Sequence, residues 1–340
     1  KIEGQSYHVM DLELVDEHII SMAKKSPALS GSLNWLHSKT NALIIFEQDA
    51  EEETKVQNVF SSLKEKYESS SSNISTSFFY TDSEQEKIWN LRKSGLSLLM
   101  SQRSYKRGYA FIEDLIVPPE SLNDFVLELE KYLLRVNKQA GIYGHAGAGL
   151  VHVRPFINLL DNEDVKLMTK IMKDVTAMIL KYKGSLTGEH GDGLLRSYLN
   201  PIVFGEKIYE TFKQIKKVFD PNNLMNPGKV IGDHQPYDDL RVSEKTKFQV
   251  WDPFLDFSKE GGLPIAVDLC NGNALCRKPN ATMCPSFQAT QDEKDSTRAR
   301  AQLLRSYING RLNPDQFMSK ASYDVFDLCL ECKGCKKECP

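Results

Sequence analysis

Gly141-Ile-Tyr-Gly-His-Ala-Gly-Ala-Gly-Leu-Val-His-Val-Arg-Pro155 sets two histidines, His145 and His152, seven residues apart in an otherwise small and apolar run. An odd separation sends two side chains to opposite faces of one uninterrupted strand, where alternation has a period of two. Gly147 and Gly149 allow positive φ and a tight reversal, so the stretch is read as two short strands folded back with both imidazoles together. A second glycine-framed segment, Gly188-Glu-His-Gly-Asp-Gly193, offers Glu189 as the third ligand, with His190 directly after it. Its glycines suit a loop whose backbone comes close to a ligand. Two neutral imidazoles, one carboxylate and an open position have the composition of a catalytic divalent-metal site. Taken singly, either histidine is more often a hydrogen-bonded hairpin residue; the pairing of the two motifs favours the metal.

Working outward from the hairpin, residues 6 to 40 read as a strand and a helix, and Asn41 to Glu47 as a short buried strand. Glu51 to Tyr67 follows as a helix with an acidic start, and the serine run at 69 to 72 as a solvated loop. Phe78 to Thr81 is expected as a further strand, with Asp82 capping a helix that carries Trp89 and Arg92. Phe111 to Val117 reads as a strand stopped by Pro118-Pro119, and Ser121 with Asp124 as a capping box. The helix so opened has Leu122, Phe125, Val126, Leu129 and Leu133 on one stripe. After the hairpin, Val165, Met168, Ile171, Met172, Val175 and Ile179 mark a second amphipathic helix, in which the methionines fill core space. Gly205 to Phe219 is a further helix, stopped by Asp220-Pro221. Strand and helix alternate around an inserted hairpin, so the expected fold is α+β and ferredoxin-like, with helices packed on an antiparallel sheet. It is expected to span residues 1–236, followed by a polar linker at 237–254 and a mainly helical module at 255–340.

The composition bounds the function. The 340 residues are 41% hydrophobic and 26% charged, which fits two or three globular domains. A net charge of −3 with no recurrent basic stripe gives no case for nucleic acid. No run of about 18 apolar residues occurs, so at most peripheral membrane contact is expected. The chain starts at Lys1 with no charged-then-apolar leader, and is read as a piece of something longer.

All seven cysteines fall between Cys270 and Cys339. An odd count and a long cysteine-free region before them point to a reducing compartment and to metal ligation. Cys329-x2-Cys332-x2-Cys335-x3-Cys339-Pro340 matches the bacterial ferredoxin spacing, whereas a zinc ribbon shows two separated pairs. Cys270-x5-Cys276-x7-Cys284-Pro285 is a looser set. In two-cluster ferredoxins the fourth cysteine of each run serves the other cluster, which pairs Cys284 with Cys329, Cys332 and Cys335. Cys270, Cys276 and Cys339 are then one ligand short. Either a second cluster has three irons or a ligand other than cysteine, or a single cluster forms and some thiols are spare.

The order Gly144-His-Ala-Gly-Ala-Gly-Leu-Val-His152, Gly188-Glu-His-Gly191, Asp220-Pro221 and Asn226-Pro-Gly-Lys229 resembles the C-terminal cap half of FAD-linked oxidases of the vanillyl-alcohol oxidase class. Glycolate oxidase, D-lactate dehydrogenase and D-2-hydroxyglutarate dehydrogenase are members. The trailing cysteines resemble the iron-sulfur half of the long fused members. In that family Asp and Asn usually stand where this hairpin has Ala148 and Leu150, and both metal-binding histidines remain here. The resemblance implies Zn, Mn or Fe on His145, His152 and Glu189, and His190 as the catalytic base. It implies Arg92 on the substrate carboxylate and Lys106 or Arg107 near a second basic contact, while Arg154 stands where some relatives have a substrate-contacting Asn. Asn226 and Lys229 are implied to touch an FAD held mostly by a preceding half that is not in this sequence.

The expected activity is oxidation of a D-2-hydroxy acid, with electrons passing from FAD to a 4Fe-4S cluster and on to a quinone or carrier protein. The expected location is cytoplasmic or peripheral to the inner membrane, and a homo-oligomer is compatible. Two rivals remain open: an electron-transfer or docking protein without chemistry of its own, and a metallohydrolase built on the same two histidines and glutamate.

Overall fold

A computed structural model describes residues 9–340 apart from 27, 28, 50, 51, 72, 280, 281 and 340. Six strands form one antiparallel sheet in the order β2-β1-β5-β6-β3, with β4 paired to β6. In chain order the elements are β1 (Val9–Val15), α1 (Glu17–Lys25), β2 (Leu43–Gln48), α2 (Glu53–Ser70), α3 (Asp82–Lys93), α4 (Gly95–Met100), β3 (Lys106–Gly108) and β4 (Leu115–Ile116). Next come α5 (Leu122–Arg135), β5 (Ala140–Gly144), β6 (Leu150–Asn158), α6 (Asn162–Lys181), α7 (Asn200–Phe204) and α8 (Glu206–Phe219). The α+β expectation with an antiparallel sheet is met.

The Gly141–Pro155 stretch forms the centre of the sheet. β5 and β6 pair from Ala140↔Pro155 to Tyr143↔His152, and a single 3-10 turn at Ala146–Ala148 closes the hairpin. Of the two glycines expected to make the reversal, Gly149 does so, with φ at +76°. A Cβ there would stand 2.0 Å from the Val117 carbonyl oxygen, so both backbone and space demand glycine. β6 is buried almost throughout. Val151, Val153 and Ile157 turn to one face and enter a core with Phe125, Leu129 and Leu133 of α5 and Met168, Ile171, Met172, Val175 and Ile179 of α6. His152, Arg154 and Phe156 turn to the other face.

Several local readings are corrected. Phe78 to Thr81 has no strand partner; Phe78 stacks on Phe60 with ring centroids 5.1 Å apart, and Phe79 meets Trp35 edge-on. Thr81, not Asp82, opens α3, its amide and hydroxyl both donating to the Glu84 carboxylate. No capping box forms at Ser121 and Asp124, because Pro119–Ser121 is a 3-10 turn that runs into α5. Of Phe111 to Val117, only Leu115–Ile116 pairs as strand.

No helix or strand lies between Phe219 and Ser258. That stretch is nevertheless packed: Val242 is buried in the main core, and Arg241 reaches Asp268 at 2.7 Å. The cysteine-bearing end is helical, with α9 (Leu263–Val267), α10 (Pro285–Thr290), α11 (Thr297–Ile308), α12 (Pro314–Phe317), α13 (Lys320–Asp327) and α14 (Gly334–Glu338). Asp268 fastens it to the sheet. Its carboxylate is buried and pairs with Arg107 of β3 at 2.9 Å and with Arg241, while Arg305 stands 3.8 Å away. Among the described residues, no helix is long and apolar enough to cross a membrane.

Candidate functional site

Three imidazoles converge on one carboxylate oxygen. Glu189 Oε1 lies 3.2 Å from His152 Nε2, 3.2 Å from His190 Nε2 and 3.6 Å from His145 Nε2. The hairpin supplies two of these rings and the glycine-framed loop the third. His145 and His152 stand with ring centroids 5.9 Å apart, and His190 stacks on His152 at 5.0 Å. The metal trio expected from the sequence is thus brought together, with His190 against it.

Behind each ring sits a second carboxylate that the sequence reading missed. His145 Nδ1 is 2.5 Å from Glu13 Oε1, and the other oxygen of Glu13 takes Arg92 Nε at 2.6 Å. His190 Nδ1 is 2.8 Å from Glu113 Oε1. His152 Nδ1 is buried without a hydrogen bond, 3.6 Å from Glu113 Oε2, and that oxygen accepts instead from Arg154 at 3.0 Å. Burial pushes the Glu113 carboxyl up, but the facing His152 ring, the Arg154 guanidinium and His190 outweigh it and hold it down at about 2. Carboxylates that grip Nδ1 fix the tautomer that presents Nε2, an arrangement suited to metal-bound imidazoles.

Asp114, fully buried, holds the loop. Its Oδ2 accepts the amides of Gly188, Glu189 and His190 and the Thr187 hydroxyl. The close backbone approach expected of the 188–193 loop is therefore to this carboxylate. Its atoms lie close enough to His152, Glu189 and His190 to join a ligand set. With its lone pairs committed to four donors, it acts as the support that aims Glu189 and His190. The neighbouring pair Glu113-Asp114, set inside the apolar run Phe111 to Val117, was the available signal for both residues.

The basic residues divide. Arg154 lies on the His152 face of β6 and donates to Glu113 and to the Tyr143 hydroxyl, and Arg92 packs over the Tyr143 ring at 5.0 Å. Both border the histidine cluster. Arg107 is corrected: it pairs in register with Ile157, on the opposite sheet face from His152, and is spent on Asp268. Lys106 is exposed opposite Asn158, six residues along β6 from His152, roughly 20 Å of strand. Asn226 and Lys229 are exposed on a loop tied to the 188–197 segment through Ser197 Oγ to the Gly228 carbonyl and Asn200 Nδ2 to the Val230 carbonyl.

In the cysteine region, Cys276 and Cys284 are buried and Cys329, Cys332 and Cys335 exposed. Cys284 Sγ receives the Thr297 amide at 2.8 Å and sits 2.7 Å from the Thr297 hydroxyl. Cys339 is exposed as a residue while its sulfur is crowded by protein. That desolvation, then Cys270, Cys276, Cys335 and Cys284, push its thiol up to about 11.

Comparison with known proteins gives the family. Residues 1–230 match the family described as FAD linked oxidases, C-terminal domain, and residues 269–340 match the 4Fe-4S dicluster domain. The chain is 31% identical over 296 residues to a D-2-hydroxyglutarate dehydrogenase of Haemophilus influenzae and 30% identical over 291 residues to that of Escherichia coli, covering 75% of this chain and 28% of each relative. A probable mitochondrial D-lactate dehydrogenase of Danio rerio is 29% identical over 161 residues, 47% of this chain and 32% of that protein. The chain therefore spans little more than a quarter of the length of the bacterial relatives it matches. With a hairpin and loop that converge three histidines on a glutamate, and with cysteines in a ferredoxin run behind them, the chain belongs to the FAD-linked oxidases as their C-terminal domain joined to a 4Fe-4S dicluster domain.

Proposed function

We propose that this chain is the substrate-side and electron-exit portion of a flavin-dependent D-2-hydroxy acid dehydrogenase. The convergence of three Nε2 atoms on Glu189 Oε1, each ring facing a carboxylate behind it, carries the reading. The donor set fits a divalent cation. Two imidazoles and a carboxylate suit Zn, Mn or Fe, and the orphaned Nδ1 of buried His152 leaves that ring dependent on its Nε2 side. His145, His152 and Glu189 would hold the ion, which when bound supplies positive charge that lowers the pKa of a hydroxyl group on the substrate.

His190 is the base. Its side chain is 47% exposed against 4% for His152, so it faces the side from which substrate arrives. Glu113 holds its Nδ1, which keeps the lone pair of Nε2 directed at the substrate hydroxyl to take the proton. Arg154 and Arg92 border the cluster, each paired with a carboxylate, Glu113 and Glu13, and would have to share that pairing to bind the substrate carboxylate. FAD, when bound, supplies the two-electron acceptor. Asn226 and Lys229, exposed on the loop beside the 188–197 segment, would donate to it. The cysteine module would pass electrons singly to a quinone or carrier protein.

The test is made in the holoenzyme. His190→Ala should abolish turnover with D-2-hydroxy acids while leaving divalent metal content near normal; loss of the metal would make His190 a ligand instead. Glu189→Ala should strip the ion, and retention of it would overturn the ligand assignment.

A further inference from the structure

α11 begins at a sulfur. Ser296 caps the helix by accepting the Ala299 amide on its Oγ at 3.1 Å, but the amide of Thr297, the first helical residue, has no carbonyl of its own helix to bond. It goes to Cys284 Sγ at 2.8 Å, and the Thr297 hydroxyl meets the same sulfur at 2.7 Å. A third donor comes three residues on, where Arg300 Nη1 stands 3.8 Å from that sulfur.

Arg300 is held for this contact. Its Nε donates to the Val325 carbonyl of α13 at 3.0 Å and its Nη2 to Ser286 Oγ of α10 at 3.1 Å, and among the described residues it has no carboxylate partner. Cys284 itself is buried in one apolar cluster with Cys276, Met283 and Phe287. A neutral thiol is a weak acceptor, poorly matched to an amide, a hydroxyl and a full positive charge. A thiolate matches them, and the positive end of the α11 dipole favours it further. Two buried thiols in an apolar wall, one of them ringed by donors, fit the sulfur ligands of a 4Fe-4S cluster.

We propose that Thr297 and Arg300 are positioning residues for the Cys284 thiolate, and that they raise the reduction potential of the cluster it holds. The inference rests on the iron-sulfur part of the function proposed above and does not depend on which other cysteines share that cluster. Uptake of one electron takes a 4Fe-4S core from its 2+ to its 1+ state and adds negative charge to its sulfurs. Donors and a cation facing one of those sulfurs therefore stabilise the reduced form more than the oxidised one.

The experiment uses the whole polypeptide, reconstituted anaerobically with ferrous iron and sulfide. Iron and sulfide are measured, and midpoint potentials are read by electron paramagnetic resonance with dithionite as reductant. Failure of the parent protein to form clusters overturns the iron-sulfur reading itself. With clusters present, Cys284→Ala should lower the iron content; unchanged iron takes Cys284 out of the ligands and overturns the proposal. Thr297→Val, which keeps the shape and the amide, should retain its iron and shift one midpoint to more negative potential, whereas Thr297→Ser should match the parent. Arg300→Gln should shift the same midpoint in the same direction, and Arg300→Lys should shift it less. If Arg300→Gln loses its iron, Thr297→Val decides alone. A parental midpoint in either variant that keeps its iron overturns the proposal, as does loss of iron in Thr297→Val, which would make the hydroxyl a structural support only.

Discussion

The Glu113 carboxylate stands 2.8 Å from His190 Nδ1, on a strand-like segment 77 residues earlier in the chain. One buried acid thereby orients the proposed base and, through its other oxygen, holds Arg154 at 3.0 Å. Glu113→Gln should lower turnover of the holoenzyme by about 10- to 100-fold, the usual loss when a carboxylate behind a ligand or base histidine is removed. Steady-state kinetics across pH check this. An unchanged profile would show that Glu113 does not act through His190.

The same carboxylate makes a prediction about acid stability. Its pKa in the fold is about 2, below the ordinary value of 4.5, so its contribution is fully present above pH 4.5 and is lost as pH falls toward 2. The size is roughly 3 kcal/mol at about 1.4 kcal/mol per pH unit. Acid unfolding of the metal-free protein, followed by circular dichroism, should show this component in the parent and not in Glu113→Gln.

Asp268→Asn should be among the most destabilising single changes in the chain. It leaves Arg107, itself 1% exposed, without its anionic partner, and weakens the hold on Arg241. Breaking a buried pair on one side costs about 3–5 kcal/mol. A lowered denaturant midpoint, with protease sensitivity rising between residues 231 and 268, is the expected outcome.

Gly149→Ala should disturb the hairpin from its turn. The left-handed backbone alone costs an alanine about 1–2 kcal/mol, and its Cβ would collide with the Val117 carbonyl. Divalent-metal affinity should fall along with the unfolding midpoint, because His145 and His152 are held on either side of this residue.

Much of this fold was legible where periodicity and turn chemistry are local. The stripes of α5 and α6, the reversal at Gly149 and the ferredoxin run each follow from residues within a few turns of one another. Glu13 escaped because it reaches His145 across 132 residues, and nothing near either residue announces the pairing. Arg107 misled for the same reason: its partner lies 161 residues away, on the other side of the sheet from the histidines. Phe78 and Phe79 have strand-like composition, yet a strand needs a neighbour to pair with; here Phe78 stacks on Phe60 and Phe79 meets Trp35 edge-on instead.

β6 carries His152 and borders β3, whose Arg107 grips Asp268 two residues ahead of Cys270. A cluster on Cys270 would thus be mounted on the same rigid frame as the proposed metal. The spacing between that cluster and the histidine cluster would then be fixed when the polypeptide folds.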